Sequence, residues 1–396
     1  MIAVEEAVRR VVAAFAPVEA ECVPIEAAAG RVLAADMIAR LDQPPFRVSA
    51  MDGYAVRSAD ALHPPVTLPV VGSAPAGHPF KGELRAGETV RIFTGGVVPD
   101  GADAIVIQEH TEQRAGFVVI NAAAHAGRHI RPAGQDFRKG DVLVRPGKCL
   151  TARDVALIAA ADVPAVEARR RPRILLAATG DELSRPGETR RPGGIVASSI
   201  YALPVLIRKW GAEPRDLGIV PDNIEAIAKI EERAAEADLV VTLGGASVGD
   251  HDLIQRALGP KGFMLDFWKI AMRPGKPLIF GRLGETPLLG LPGNPVSSFV
   301  CALLFLKPAI AAMLGTETEP NGLTARLATE MGANDSRQDY VRARLFRRDG
   351  VLWVEPFPAQ DSSMQKVLAD SDALLIRGPH APIARKGDSV AIIPLD

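Results

Sequence analysis

Residues 288–298 read LLGLPGNPVSS. Leu288, Leu289 and Leu291 read as the end of a buried strand, and the strongly apolar segment 296–314 reads as a helix. The corner between them, Pro292-Gly293-Asn294-Pro295, is rigid and polar. Gly293 would let a ligand approach the backbone, Asn294 suits a helix N-cap and Pro295 the first helical position. The amides behind such a cap favour an anion. Alone, the corner reads more simply as a well-made strand-to-helix turn. Its meaning depends on whether other turns converge on it.

Working outward, the chain alternates strands and helices from Arg169-Arg170-Arg171-Pro172 onward. Strands are expected at 173–178, 217–220 and 239–243 and in the runs PLIFG and PLLGLPG; helices are expected at 198–210, 222–237 and 252–258. That alternation predicts a doubly wound, mostly parallel α/β sheet with helices on both faces. Four polar loops follow strand carboxyl ends: 179–183 (TGDEL), 221–223 (PDN), 244–249 (GGASVG) and 291–295 (LPGNP). In a parallel sheet they share the edge where ligands bind. One such corner is a turn, but four on one edge read as a site.

The flanking regions differ. Residues 1–43 and 130–170 read as a helical and extended N-terminal domain, with Val4, Val8, Val11, Val12 and Phe15 on one helix face. Residues 44–129 carry short β-rich runs punctuated by Gly and Pro and read as an inserted β domain. Residues 171–318 are the α/β domain, and 319–396 a C-terminal β domain with a hairpin at Asp349-Gly350. At roughly 150 residues per domain, 396 residues fit two to four domains. With a net charge of -1, nothing points to a nucleic-acid surface. Cys22, Cys149 and Cys301 are far apart, with no CxxC, which fits a reducing compartment and argues against a disulfide framework or zinc knuckle; Cys301 reads as core. Glu5, Glu6, Arg9 and Arg10 interrupt any signal-peptide core. Lys307-Pro308 breaks the longest apolar run, so no membrane span is expected. These features describe a soluble cytoplasmic protein.

The chemistry-bearing residues cluster around the four loops. GGASVG matches neither GxGxxG nor a P-loop, and reads equally as a phosphate cradle or a plain turn. The stretch FWKIAMRPGKP places Lys269, Arg273 and Lys276 within eight residues on a backbone stiffened by Pro274 and Pro277. These cations could hold an anionic ligand. Asp181, Glu182, Asp222, Asp250 and Asp252 would suit Mg²⁺ beside phosphates. Asp222 and Asp252 also read as helix N-caps, and for Asp222 the cap is the simpler reading. Gly127 separates His125 from His129 and weakens a zinc pair; His251 lies beside the glycine loop.

Together the stretches TGDEL (179–183), GGASVGDHD (244–252), RPGKP (273–277) and LPGNPVS (291–297) resemble the molybdopterin molybdenumtransferase family, to which the C-terminal domain of gephyrin belongs. SAMDGYA (49–55), TGGVVPDGADA (94–104) and GRHIRPAGQD (127–136) agree, so the resemblance runs essentially end to end. It implies an enzyme that inserts molybdate into adenylylated molybdopterin, giving molybdenum cofactor and AMP with the help of Mg²⁺. It implies four domains, a homodimer whose cleft uses both chains, and contact with the molybdopterin adenylyltransferase. Matched residue by residue, it assigns catalysis to Asp52, Glu182, Asp222, Asp252, Lys269, Arg273 and Lys276, with Glu182, Asp222 and Asp252 as metal ligands. It assigns substrate binding to Thr94, Thr179, Gly180, Gly244, Gly245, Ser247, Gly249, Pro292, Gly293, Asn294, Arg342 and Ser362. The chain departs from the family pattern at Gly96, Gln135, Ala246 and Arg273, the last standing where lysine is common. An alternative is the adenylyltransferase of the preceding step, which resembles the α/β region alone and would consume ATP. Another is a non-catalytic molybdopterin-binding scaffold, against which the retained carboxylates and cations argue.

Overall fold

The apolar runs of the α/β region lie side by side in a six-stranded sheet. We label its strands β1 (Arg173–Thr179), β2 (Glu213–Val220), β3 (Leu239–Leu243), β4 (Phe263–Trp268), β5 (Ile279–Leu283) and β6 (Thr286–Leu291). Their order is β2-β1-β3-β6-β5-β4. The first four are mutually parallel, and β5 and β4 add an antiparallel edge. Strands β1, β3 and β6 are continuous apolar runs because both of their faces are covered. Thr179 pairs with Val220, Ala178 with Leu243, and Leu243 with Leu291. The four parallel strands therefore end at nearly one level. This computed structural model describes residues 1–244, 251–317 and 323–395, apart from the side chains of His251 and Asp252.

The expected break at Lys307-Pro308 does not occur. One helical run extends from Pro295 to Leu314. Its stretch Ala302–Leu306 is π-helical, with the Lys307 N–H bonded back to the Ala302 carbonyl. The wider turn accommodates the Pro308 ring and its missing N–H, which an unbroken α-ladder would reject. By length and composition this helix could cross a membrane, but 72% of its apolar window is buried inside the protein, as in a core helix. Cys301 is buried on it, as expected. The expected helix over 222–237 is instead two short ones, Ile224–Ala228 and Ile230–Ala234. They meet at Lys229, whose ψ of -13° departs from the regular α-helical value.

The chain folds as two units, Met1–Glu21 with Arg169–Asp396, and Cys22–Ala168. The first 21 residues, read above with the N-terminal domain, thus fold with the α/β region. Helix Val4–Ala13 buries Val4, Ala7 and Val11 and packs on the 295–314 helix. The same unit holds a C-terminal barrel of β7 (Leu323–Leu327), β8 (Gln338–Arg348), β9 (Val351–Pro356), β10 (Ala373–Arg377) and β11 (Ser389–Pro394). The ring closes through β8-β9-β7-β11-β10 and back to β8, around Leu327, Ala343, Val354, Leu375 and Ile392. Asp349 and Gly350 turn β8 into β9 with φ of 51° and 77°, the left-handed pair a two-residue hairpin requires. A short strand, Met272–Arg273, pairs in parallel with Gln338–Asp339 at the start of β8.

In the other unit, six strands between Gly53 and Ile120 form one sheet. A separate core joins Leu33 and Met37 to Phe137, Leu150 and Ile158. Helix Ala152–Ala160 begins with a capping box between Thr151 and Asp154. The Asp154 carboxylate accepts from Lys148 Nζ (2.5 Å), Thr151 N (2.8 Å) and Thr151 Oγ1 (2.7 Å). Burial pushes its pKa up, but these bonds outweigh burial and hold it at about 2, against an ordinary 3.8. Because the folded value is the lower, the stability Asp154 contributes is complete above the ordinary value and lost as pH falls toward 2. Asp154→Asn should lower the melting temperature at neutral pH and flatten its fall across that acid window, as read by circular dichroism.

Candidate active site

The level strand ends open onto a cleft of about 650 Å³. All four loops line it: Thr179 and Glu182 after β1, Asp222 after β2, Gly244 after β3, and Pro292, Gly293 and Asn294 after β6. Arg273 to Pro277 join them, as do Arg337 and Gln360 to Ser362 from the barrel. The floor is bare backbone. A Cβ on Gly244 (φ 92°) would meet the Thr179 carbonyl oxygen at 2.6 Å, and one on Gly180 (φ 151°) would meet Glu182 Oε2 at 2.7 Å. Only glycine leaves room there for the backbone turn and the carboxylate. Thr179 Oγ1 is buried with no hydrogen-bond partner among the described residues.

Asp222 is not the helix cap. Asn223 is, its Oδ1 accepting from Ala226 N at 2.8 Å. The shift by one residue leaves the Asp222 side chain at the cleft, while its own N–H donates to Asp181 Oδ1 (3.1 Å). Asn294 does occupy the N-cap position, yet its side chain makes no cap bond. Its Nδ2 donates instead to Ser362 Oγ (3.0 Å), and Val296 N donates to the Ser362 carbonyl (3.3 Å). The opening corner of the sequence is thus fastened to the barrel.

The three cations part company. Lys276 is exposed and lines the cleft, with no ion pair among the described residues. Arg273 lines it too, but its guanidinium is forked onto Asp339, with Nε to Oδ1 at 3.0 Å and Nη2 to Oδ2. Asp335 Oδ2 lies 3.5 Å from its Nη1. Asp339 holds Arg273 above the ordinary arginine range. Lys269 does not line the cleft; its ammonium sits 3.5 Å above the Trp268 ring, with φ of 67°.

Arg342, expected at the substrate, is 1% exposed and does not line the cleft. It lies behind the loop that does. Its Nε donates to Gln360 Oε1 (3.2 Å) and its Nη1 to the carbonyls of Asp361 (2.9 Å) and Met364 (3.4 Å). Burial pushes its pKa down, and Asp361 partly restores it. Asp52 and Thr94 belong to the other unit, where they meet. Thr94 N and Oγ1 donate to Asp52 Oδ1 at 2.7 and 2.8 Å, which holds that carboxyl below its usual range. Gly245, Ser247 and Gly249, and with them Asp250, lie outside the described residues, as do the side chains of His251 and Asp252. Among the described residues no group of three or more His, Cys, Asp or Glu is placed to hold a metal. Sequence reading missed Arg337, Asp339, Gln360 and Asp361. They reach the site only through barrel pairing, which leaves no local periodicity.

Comparison with known proteins matches the whole arrangement. Residues 2–161 match the family described as MoeA N-terminal region (domain I and II), 176–312 the probable molybdopterin binding domain, and 324–395 the MoeA C-terminal region (domain IV). A molybdopterin molybdenumtransferase from Nostoc sp. is 36% identical over 95% of this chain and 89% of its own length. One from Haemophilus influenzae is 34% identical over 96% and 95%. The crystal structure of a molybdopterin biosynthesis moea protein from Pyrococcus horikosii superposes with a TM-score of 0.86 at 30% identity, covering 100% of this chain and 99% of that one. The architecture is that of a multidomain enzyme of molybdenum cofactor biosynthesis. The chain belongs to the molybdopterin molybdenumtransferase family.

Arg342→Met should free the loop behind which it sits. Hydrogen exchange at the 360–364 amides should speed up, and stability should fall by about 1–3 kcal/mol, the cost of leaving buried partners unpaired.

Proposed function

We propose that the cleft joins molybdate to adenylylated molybdopterin, giving molybdenum cofactor and AMP. The observation that carries this reading is the meeting of four strand-end loops, the Lys276 loop and the barrel loop at one cavity of about 650 Å³. That is the size class of a pocket for a nucleotide-like ligand. Its glycine floor admits phosphate oxygens to backbone amides. Lys276 draws in the dianion, and Asn294 and Ser362 offer hydrogen bonds beside it.

Glu182 and Asp222 line the same cleft. Two carboxylates with phosphate oxygens completing the shell form a donor set that suits Mg²⁺, and Asp252 is proposed as a third. When bound, the ion would neutralise charge on the phosphoanhydride. The carboxylates hold that ion, Lys276 and the amides orient the anion, and no protein nucleophile is required. Asp52, Thr94 and Lys269 are proposed contributors on the strength of the family resemblance. We also propose a cytoplasmic homodimer of four-domain chains that meets the adenylyltransferase to receive its substrate. The separate cores support that division.

Lys276→Ala should raise the molybdate concentration for half-maximal activity about tenfold to a hundredfold, a loss of roughly 1–3 kcal/mol. It should leave calorimetric binding of adenylylated molybdopterin nearly unchanged. The reverse pattern would place the cation on phosphate instead. Glu182→Gln and Asp222→Asn should both shift the Mg²⁺ dependence of turnover to higher concentration; wild-type rates at limiting Mg²⁺ would sink the metal role. Sedimentation at micromolar concentration checks the dimer.

A further inference from the structure

We infer that Asp339 is a specificity-determining positioning residue, which withholds the Arg273 guanidinium from the anionic substrate and leaves Lys276 to attract it. The inference rests on the proposed reading of the cleft as an oxyanion site. Its basis is the pairing of Met272–Arg273 with Gln338–Asp339, which sets Arg273 directly beside Asp339 on the neighbouring strand. The fork between them uses Nε and Nη2, the edge with which arginine would otherwise grip a tetrahedral oxyanion. Asp335 faces Nη1 at 3.5 Å, and Asn334 Oδ1 lies 3.5 Å from Nη2. Asn334 is itself fixed, its Nδ2 donating to the carbonyls of Arg337, Arg377 and Gly378. Arg337 is drawn to Asp335 (3.0 Å). Two arginines and two aspartates thus cancel at this end of the cleft.

The cancellation has a chemical use. A free guanidinium fork grips sulfate and phosphate as readily as molybdate, because all are small tetrahedral oxyanions. A fork already filled by a carboxylate cannot, so recognition falls to Lys276 and the shaped backbone. A lysine at position 273 could not fill both carboxylate oxygens with two fixed, parallel N–H donors.

The test titrates the full chain with molybdate alone and with sulfate alone, by calorimetry at fixed ionic strength. Asp339→Asn should tighten both anions by about tenfold, and sulfate should become a stronger inhibitor of turnover. Asp339→Glu should restore wild-type anion affinities. Arg273→Met combined with Asp339→Asn, which removes the fork and leaves the net charge unchanged, should return anion affinity to within about twofold of wild type, where Lys276→Ala loses tenfold or more. Unchanged or weaker anion binding by Asp339→Asn overturns the inference, as does a tenfold gain that persists in the double variant without Arg273. Wild-type protein that binds neither anion overturns the reading of the cleft and this inference together. Wild-type binding with no gain in Asp339→Asn removes the inference alone.

Discussion

The parallel pairing of β2, β1, β3 and β6 is the constraint on which the site depends. It sets Thr179, Val220, Leu243 and Leu291 at nearly one height, so each chain segment leaves the sheet at the same edge. A slip of one residue between neighbours would exchange the two faces of every side chain and unseat the close packing on both sides of these buried strands. The loops need no long side chains to converge. The sheet has already delivered their backbones, and Gly244 lets the third loop approach the Thr179 carbonyl at the end of the first strand.

The barrel completes what the sheet begins. It reaches the cleft through the Met272–Arg273 strand and through the 360–364 loop. Both attachments are polar and specific, because an apolar patch would hold the parts without fixing their orientation. Arg342 sits nearly inaccessible with Nε and Nη1 donating to one side chain and two carbonyls, which offsets part of the cost of desolvating a guanidinium. Its charge holds the 361–364 backbone from behind the cleft.

Much of this was legible beforehand where the signal is local. Strand and helix alternation, the polar corners and the Asp349-Gly350 turn are written in windows of a few residues, and the structure has them among its described residues, which include only Gly244 of the third corner. Reading failed where the deciding partner is distant. Nothing near Arg273 announces Asp339, 66 residues away, and nothing near Arg342 announces Gln360 behind the loop. Asp222 and Asn223 are both good caps by type, and only the helix start chooses between them. Pro308 reads as a break because a π-helical turn has no sequence signature of its own. The first helix shows its apolar face plainly, but a face does not name the surface it will cover.

One contact ties the Lys276 loop to the long core helix. Gly275, at φ 110°, lies so close to the long core helix that a Cβ there would come within 2.5 Å of Cys301 Sγ and 3.0 Å of Met272 Cε. The Cys301 thiol in turn points at the Gly275 carbonyl (3.7 Å). Positions 275 and 301 therefore form one steric unit, although one reads as a surface loop and the other as core. A bulkier residue at 301 would push the Lys276 loop outward as surely as a mutation in the loop itself. The room available for this enzyme to acquire a different anion preference is thus set partly inside the protein, by the volume of a side chain that no ligand meets.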